Sequence, residues 1–412
     1  MSEIKKCKLM ILCWGYSIHA VRRAQLFIDD PRFDVTVVST YDYSLPGADN
    51  VLLGTKKSIT TAKEVSKPSG KSFKNSIPIP IRNFLKTLTK IFGLIFEIKS
   101  MDRDYKILRQ EVESKNPDVL LLQTLQYPSF LAYRLPRDLP MVVTFWNGDL
   151  TYFAKWTGLE IFMKKRLVVH GLKRVNAITV NSQTAFDAGV KLGADPEKIT
   201  LVRYPGADLD IFYPREKLVA RKRLGITAKH VLICPRGLGK FFNSDIIIEA
   251  AAIVANKYPE LLVLFISGVG GEEEWEKHVK LAKSLNIESK IRWDGHIDWK
   301  DMPWYYSAAD VMVSVKTEDS CPNCMLESMA CGIPVVMSDT SQNREWIKDG
   351  ENGFLCQPED SPLIAERIVS LLINEDDIVP KFSSISLNKV QKDANSNINI
   401  ARIRELVNSF ST

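Results

Sequence analysis

The segment that decides the fold runs from Asp319 to Cys356 and reads DSCPNCMLESMACGIPVVMSDTSQNREWIKDGENGFLC. Two of its carboxylates, Asp319 and Glu327, stand eight positions apart, with a proline-bearing turn and a helix start between them. The apolar run Ile333–Met337 is typical of a strand and follows at once, before the turn sequences NREW and DGENG. So long an ordered series of features makes this segment the most informative part of the chain.

The spacing within this segment favours a site for a nucleotide-sugar. Pro322 suits the first turn of a helix, because its missing N–H costs nothing there. The amides of Asn323 and Cys324 would then carry the positive end of the helix dipole, which attracts a diphosphate. Glu327, about one turn further on, could accept from two vicinal ribose hydroxyls, and Asp319 from hydroxyls of the sugar. For either carboxylate alone, a helix cap beside a solvated acid is the alternative.

The segment resembles the Glu-x7-Glu region of glycosyltransferase family 4, also called glycosyl transferases group 1, whose members are retaining enzymes. The resemblance implies the GT-B fold, in which two Rossmann-like domains face each other across a cleft that holds the nucleotide-sugar. It extends over nearly the whole chain, most clearly from Val231 to Leu372 and least from Tyr41 to Asn116. Asp319 stands where the family usually has glutamate, and its shorter arm still accepts hydrogen bonds.

Length and composition describe a globular protein of two domains. The chain has 412 residues, of which 45% are hydrophobic and 25% charged, so two domains of roughly 200 residues are expected. No apolar run reaches transmembrane length, and the stretch Leu9–Trp14 is too short for a signal peptide. We therefore expect a cytoplasmic protein.

Short apolar runs alternate with helical periods along both halves of the chain. The predicted strands are Lys8–Trp14, Asp34–Ser39, Asp118–Gln123, Met141–Trp146, Ala177–Val180, Val231–Pro235, Leu261–Ser267, Lys290–Asp294, Val311–Val315, Ile333–Met337 and Gly353–Cys356. The predicted helices include Ile18–Ile28, Tyr105–Ser114, Tyr152–Val175 and Asn399–Phe410. Repeated strand-then-helix units form parallel sheets covered on both faces, so the predicted fold class is α/β with two Rossmann-like domains.

The proposed domain boundary is the proline-bearing segment YPGADLDIFYPR at Tyr204–Arg215, which resembles the interdomain phrase of the family. It separates an N-terminal Rossmann-like acceptor domain, residues 1–205, from a nucleotide-sugar-binding domain, residues 206–385. The resemblance implies that the C-terminal helix of residues 386–412 packs back on the N-terminal domain.

A loop with two cations, CPRGLGK at 234–240, lies between a strand and a helix that begins near Ser244. Arg236 and Lys240 suit a diphosphate, and preorganised cations stabilise the negative charge that grows on a leaving phosphate. The resemblance gives both a catalytic role, although the family places its lysine a residue or two further on, where this chain has FFN at 241–243. Two solvated surface cations are the alternative.

Three further turns resemble nucleotide-sugar-binding parts of the family. Gly15, in WGYSIH after the first strand, would let the backbone approach a ligand, and His19 is a candidate on the acceptor or sugar side. Gly268 lies in a glycine-rich turn, and His296 and Ile297 lie in a base-binding turn. In the family the base is bound mainly through backbone contacts, so the identity of these residues says little about which base is bound. Uracil is the commonest expectation, and guanine stays open. Plain loop geometry is the alternative for these glycines.

Two departures from the family concern a histidine near the transferred sugar. Gln123 stands where many members have histidine, and the phrase WNGD ending at Asp149 lacks one as well. Glutamine forms hydrogen bonds but cannot shuttle a proton. Both departures fit front-face retention, in which the leaving phosphate itself takes the acceptor proton. Gln123 and Asp149 remain candidates on the acceptor or sugar side.

The seven cysteines form no disulfide framework and are interpreted as reduced thiols. Cys321 and Cys324 form a C-x-x-C, but a zinc ribbon needs a second pair that this chain lacks. No Asp-x-Asp accompanies the diphosphate loops. We therefore expect neither a metal nor another cofactor.

The segment from Lys56 to Ser100 is strongly basic, with nine lysines and one arginine against two glutamates, a net charge of +8 in a chain of net charge +6. Within it, residues 81–98 carry apolar side chains at helical spacing, flanked by Arg82, Lys86 and Lys90. Such a helix either lies on an anionic membrane surface or packs into the domain core. No nucleic-acid-binding motif accompanies the charge.

The sequence thus favours a hexosyltransferase-type retaining enzyme that moves a sugar, most commonly from a UDP-sugar, to a glycan or lipid-linked acceptor. It would act in polysaccharide biosynthesis, peripheral to the inner face of the cytoplasmic membrane. A non-catalytic nucleotide-sugar-binding or scaffold protein at the membrane is the alternative. A nicotinamide-dependent dehydrogenase would need a glycine fingerprint that is not found.

Overall fold

The computed structural model describes residues 5–13, 18–40, 44–54, 100–145, 149, 159–266, 268–317, 321–374 and 377–411. The chain divides into two compact units. The first comprises Met1–Thr179, Ala188–Thr200 and Arg404–Thr412, and the second comprises Val180–Asp187 and Leu201–Ile403.

The first unit is built on a seven-stranded sheet of order β3-β2-β1-β4-β5-β6-β7. Its strands are β1 Cys7–Cys13, β2 Phe33–Ser39, β3 Asp49–Leu52, β4 Val119–Leu122, β5 Met141–Phe145, β6 Ala177–Val180 and β7 Ile199–Leu201. β1 pairs in parallel with both β2 and β4, so that Leu9 faces Val35 on one side and Val119 on the other. All residues of β4, β5 and β6 are buried, which explains why they are continuous apolar runs.

The second unit is built on a six-stranded sheet of order β10-β9-β8-β11-β12-β13. Its strands are β8 His230–Cys234, β9 Leu261–Ile266, β10 Ile291–Gly295, β11 Val311–Ser314, β12 Val335–Ser338 and β13 Phe354–Cys356. Counted from β8, this is the doubly wound order 3-2-1-4-5-6. The chain reverses its direction of winding between β8 and β11, and the carboxyl ends of these two neighbours are where such sheets bind ligands.

Helices cover both sheets. They are Ile18–Ile28, residues 100–115, Ser129–Ala132, Leu159–Arg174, Gln183–Lys191, Lys217–Arg223, Ser244–Lys257, Gly271–Ser284, Met302–Ala308, Asn323–Ala330, Ser341–Arg344, Ser361–Ile373, Ile378–Asp393 and Ser396–Asn408. Near the end of the last helix, Arg404 Nε donates to the carbonyl of Leu26 at 3.1 Å and lies 3.2 Å from Asp30. No helix in the described ranges combines the length and the apolar character needed to span a bilayer.

Alternate residues of the central strands of the second unit belong to different core clusters. Val231 and Ile233 of β8 pack in one cluster, while Leu232 and Cys234 pack in another. Because neighbouring residues of a strand point to opposite faces, each face of this sheet has its own apolar core. The predicted α/β class with two Rossmann-like units is confirmed.

Several predicted elements need correction. Strands β3 and β7 were not predicted. Asp49–Leu52 is a partly exposed edge strand without an apolar run, and β7 has only three residues, too few to give a periodic pattern. The strand predicted from Ile333 begins at Val335, since Ile333 donates its N–H to Ser328 at the end of the preceding helix. Other predicted strand ends shift by a residue or two. The amphipathic helix predicted at 81–98 lies outside the described residues.

Candidate functional site

The residues predicted to bind a nucleotide-sugar follow four neighbouring strands of the second unit. Arg236 comes after β8, Gly268 after β9, His296 after β10 and Asn323 after β11. These strands run parallel, so their carboxyl ends meet at one edge of the sheet. The structure therefore brings these predicted residues together on one set of adjacent loops.

Two positive groups meet beside Cys324. Pro322 is the N-cap of the helix Asn323–Ala330, with a φ of −69°, and its carbonyl accepts from the amide of Met325 at 3.0 Å. The amides that precede Met325 lie at the positive end of the helix dipole. Arg236 Nη1 donates to Cys324 Sγ at 3.7 Å. A guanidinium next to a helix N-terminus forms a site for an anion such as a diphosphate.

The Arg236 loop, residues 235–243, is folded tightly against its neighbours. A Cβ at Gly237 would come within 2.1 Å of the ring of Phe242, so that ring packs directly on the backbone beside Arg236. Leu238 donates its N–H to the carbonyl of Val269 at 3.0 Å, which ties this loop to the turn after β9. The loop therefore has little freedom to change shape.

Buried hydrogen bonds from Ser244 and His278 also hold the Arg236 loop in place. Ser244 Oγ accepts from the amide of Gly239 at 2.7 Å and lies 2.6 Å from His278 Nε2. The other ring nitrogen, Nδ1, lies 2.6 Å from the carbonyl oxygen of Glu274, which can only accept. In the neutral ring Nδ1 therefore carries the proton, and Nε2 accepts from Ser244. Sequence reasoning missed this network, because its partners are far apart along the chain.

The second predicted cation, Lys240, is exposed at the turn of the loop. A different lysine contacts the aromatic pair that follows it. Lys316 Nζ lies 4.2 Å from the ring centroid of Phe241 and 5.7 Å from that of Phe242. Asn243 connects the same two segments, because its Nδ2 donates to the carbonyl of Val315 at 2.9 Å.

Glu327, the predicted ribose ligand, is oriented by a side chain that the sequence did not single out. The hydroxyl of Tyr306 donates to Glu327 Oε2 at 3.0 Å. Tyr306 is fully buried, and burial together with the charge of Glu327 raises the pKa of its phenol well above the ordinary value. Tyr306 therefore stays protonated and remains a donor.

The turns after β9 and β10 lie side by side. A Cβ at Gly268 would stand 3.3 Å from the Cβ of His296. His296 is exposed and Ile297 packs against the core. The aspartate before this turn is bound internally, since Asp294 pairs with Arg292 at 2.6 Å. The turn thus presents backbone and His296 to solvent.

In the first unit, two predicted residues lie beyond the carboxyl ends of strands β4 and β5. Gln123 is buried, and its Nε2 donates to the carbonyl of Ala20 at 3.0 Å. Asp149 is buried as well and accepts from Thr124 Oγ1 at 2.7 Å and from Gln126 Nε2 at 3.4 Å. Thr124 and Gln126 were not predicted.

Three predicted positions cannot be placed in this geometry. Gly15 and Asp319 lie outside the described residues. His19 belongs to the helix Ile18–Ile28, and its side chain lies outside the described part of the chain.

The cysteines are free thiols, as interpreted from the sequence. None of the seven forms a disulfide, and all except the half-buried Cys321 are buried. Burial raises the pKa of Cys13 and of Cys234 to about 12. Over the described ranges, no group of three or more His, Cys, Asp or Glu side chains is arranged to hold a metal ion.

Residues 219–385 match the family model described as Glycosyl transferases group 1. The resemblance to this family seen in the sequence is therefore confirmed for this region of the chain. It lies within the second unit and contains the Arg236 loop and the helix with Glu327.

Curated relatives match over part of the chain. D-inositol 3-phosphate glycosyltransferase of Thermobispora bispora is 31% identical over 190 residues, which are 44% of this chain and 44% of that protein. Spore coat protein SA of Bacillus subtilis is 26% identical over 216 residues, 49% of this chain and 55% of that protein. N-acetyl-alpha-D-glucosaminyl L-malate synthase of Bacillus anthracis is 24% identical over 250 residues, 60% of this chain and 62% of that protein. The chain thus spans about half the length of these relatives.

Solved structures match over nearly the whole chain. Alr3699/HepE of Anabaena, in complex with UDP, has a TM-score of 0.70 at 16% identity and covers 98% of this chain and 100% of that one. Sucrose-phosphate synthase of Thermosynechococcus elongatus has a TM-score of 0.71 at 15% identity and covers 98% and 99%. Together with the two parallel sheets, this similarity confirms the predicted GT-B fold class.

Proposed function

We propose that the protein is a retaining glycosyltransferase that transfers a hexose from a nucleotide-sugar, a UDP-sugar in the first instance, to a glycan or lipid-linked acceptor. One observation carries this proposal. The guanidinium of Arg236 lies beside the first turn of the helix whose fifth residue, Glu327, is held by Tyr306. A cation and the amides at a helix N-terminus suit the diphosphate, and an oriented carboxylate one turn away suits the ribose hydroxyls.

The choice of UDP is supported by similar proteins of the same fold. Alr3699/HepE has been solved with UDP and with UDP-glucose. In this chain, the turn with His296 and Ile297 would face the base, and Gly268 would leave room for the nucleotide. Gly15 would let the backbone approach the phosphates.

In the proposed reaction, the bond between the anomeric carbon and the leaving phosphate oxygen breaks. The acceptor oxygen bonds to the same face of that carbon, and its proton passes to the leaving phosphate. Arg236 stabilises the negative charge on that phosphate, and Asp319 would hold hydroxyls of the donor sugar. His19, Gln123 and Asp149 are assigned to the acceptor or sugar side, and none of them is needed as a base.

The chemistry is proposed to need no metal and no other cofactor, because Arg236 and the helix amides serve the diphosphate charge directly. Activity should then persist in EDTA. Loss of activity that magnesium or manganese restores would contradict this part of the proposal.

The acceptor is proposed to be presented at the inner face of a membrane, with residues 81–98 on the lipid surface. The triple variant Arg82→Glu, Lys86→Glu and Lys90→Glu should then release the protein from anionic vesicles and lower activity on a lipid-linked acceptor. A matched triple change of Lys280, Lys283 and Lys300, all exposed in the second unit, should leave vesicle binding intact. Wild-type protein that ignores anionic vesicles at low salt would contradict the membrane role.

Turnover separates the proposed enzyme from a nucleotide-sugar-binding scaffold protein. Release of UDP or GDP should be measured with UDP-glucose, UDP-galactose, UDP-N-acetylglucosamine and GDP-mannose, with the anomer of any product assigned by NMR. A retained anomer supports the proposal. Nucleotide binding without turnover, over a broad acceptor panel, would favour the scaffold.

A further inference from the structure

One helix of the first unit presents apolar side chains to solvent on the face that turns away from the core. The helix Leu159–Arg174 buries Val168 and Leu172 completely. On its other side, Phe162 is 53% exposed and Ile161 is 38% exposed. The buried side chains already anchor the helix to its unit, so the packing of the fold gives no reason for the exposed apolar ones.

Basic residues share this exposed face. Residues three and four positions apart lie on one side of a helix, and on this side they are both apolar and basic. A shallow, mostly apolar groove there is lined, among the described residues, by Phe162, Lys165, Arg166, Val169, His170 and Lys173. The helix has five Lys and Arg residues against one acid, Glu160, a net charge of +4. Lys165 and Lys173 are exposed, and within the described ranges neither forms an ion pair.

Phe162 and Arg166 combine both properties in one contact. The guanidinium carbon of Arg166 lies 4.0 Å from the centroid of the Phe162 ring, so the two planar groups cover each other. A guanidinium stacked on a ring keeps its N–H groups available at its edge, where they can bind phosphate oxygens. The pair therefore places an apolar ring and a phosphate-binding group side by side at the surface.

The extent and chemistry of this face fit an anionic lipid surface. From Ile161 to Lys173 it runs for about 18 Å along the helix axis. A helix that lies in the plane of a membrane inserts its apolar side chains at the boundary between headgroups and acyl chains, while its Lys and Arg side chains bind the headgroup phosphates. The positive charge selects anionic lipids, and the apolar side chains between the cations distinguish a lipid surface from a partner that offers charge alone.

We propose that the exposed face of the helix Leu159–Arg174 binds the surface of an anionic membrane, as a contact separate from residues 81–98. This inference rests on the membrane part of the proposed function. Two surfaces that hold the same membrane reinforce each other, because the second contact forms within a molecule that is already bound.

The test measures binding of the full chain to vesicles of phosphatidylcholine, with and without phosphatidylglycerol, by co-sedimentation at low and at raised salt. The apolar variant Ile161→Ser with Phe162→Ser should weaken binding to the anionic vesicles by about fivefold or more at either salt. The basic variant Lys165→Glu with Lys173→Glu should weaken it by about tenfold or more at low salt. Its deficit should shrink at raised salt, because salt screens the charges.

Matched changes on the second unit serve as controls. Leu218→Ser with Val219→Ser removes two apolar side chains that are 72% and 53% exposed. Lys280→Glu with Lys283→Glu reverses two exposed cations. Both controls should bind anionic vesicles as the wild type does. All four variants should keep the melting temperature and the UDP affinity of the wild type, because none of them changes a buried side chain or a residue of the candidate site.

Four results would contradict this inference. Wild-type binding that neither variant reduces overturns it alone. Loss of binding in the basic variant but not in the apolar one assigns the face to a partner that offers only charge. An equal loss in the controls shows a general response to surface composition. If the wild type ignores anionic vesicles at low salt, the membrane part of the proposed function fails together with this inference, whereas turnover of a nucleotide-sugar tests the catalytic part separately.

Discussion

The hydroxyl of Tyr306 donates to Oε2 of Glu327 at 3.0 Å, from the helix Met302–Ala308 to the helix Asn323–Ala330. A fully buried phenol thus fixes the direction of a carboxylate that lies at the candidate site. Because burial and the charge of Glu327 both raise the pKa of Tyr306, the phenol keeps its proton at neutral pH. The carboxylate is oriented before any nucleotide binds.

Tyr306→Phe should raise the KM for the donor several-fold while changing kcat little, because it removes the Tyr306 bond that orients the carboxylate and leaves the carboxylate in place. The lost hydrogen bond should cost about 1 kcal/mol of stability. Glu327→Gln is the benchmark and should weaken nucleotide binding more strongly. Tyr213→Phe, at an exposed tyrosine of the same unit, serves as the control. Unchanged nucleotide affinity in Glu327→Gln would remove the ribose role.

Arg236→Ala should lower turnover by about 10²–10³-fold, because it removes a preorganised charge next to the leaving phosphate. The protein should stay folded, since Arg236 is half-buried in a loop and its bond to the Cys324 sulfur is weak. Arg223→Ala, at a largely exposed arginine, is the control. Steady-state kinetics with the natural donor checks the prediction, and near-normal turnover would contradict the assigned role.

Ser244→Ala should loosen the Arg236 loop, because it breaks the bonds to Gly239 and His278. We expect a loss of about 1–2 kcal/mol in stability and a several-fold weaker affinity for UDP. Ser284→Ala, whose hydroxyl is exposed, should do neither. A lower melting temperature with unchanged UDP affinity would show that the network stabilises the fold without positioning the loop.

The buried thiols should resist alkylation in the native protein. Burial raises the pKa of Cys13, Cys234 and Cys356 to about 12, so little thiolate exists at pH 9. Half-buried Cys321 should react first, and Cys321→Ser should abolish the fast phase seen by mass spectrometry. Rapid labelling of Cys234 would contradict the burial.

The raised pKa values of the buried cysteines also predict that the protein becomes less stable in alkali. The unfolded thiols ionise near their ordinary pKa of 9.0, whereas the folded ones stay protonated up to about 12. Their contribution to the free energy of unfolding is therefore complete below pH 9 and is lost as the pH rises from 9 to about 12.

The sequence predicted those parts of the structure that depend on local pattern. The helix start at Asn323 followed from Pro322, and the buried strands followed from their apolar runs. What it could not predict were pairings between distant residues. Tyr306 with Glu327, Ser244 with His278, and Lys316 with Phe241 depend on how separate loops are brought together.

Edge strands were the other source of error. Asp49–Leu52 lies at the end of its sheet with most of its residues exposed, so it does not show the apolar run by which the other strands were recognised. A partly solvated strand carries little signal of its own, and its neighbour β2 determines its place.

The described candidate residues that follow strands of the second unit lie at the carboxyl edge of its sheet, which leaves the amino edge available for engineering. The turn before β8 contains Gly225, around which there is open space within 4 Å, and the exposed Lys229. A peptide tag or fluorophore inserted between Thr227 and Lys229 would sit a full strand length away from the Arg236 loop. The protein could be immobilised on a sensor chip through that turn without modifying the candidate site at the opposite edge of the sheet.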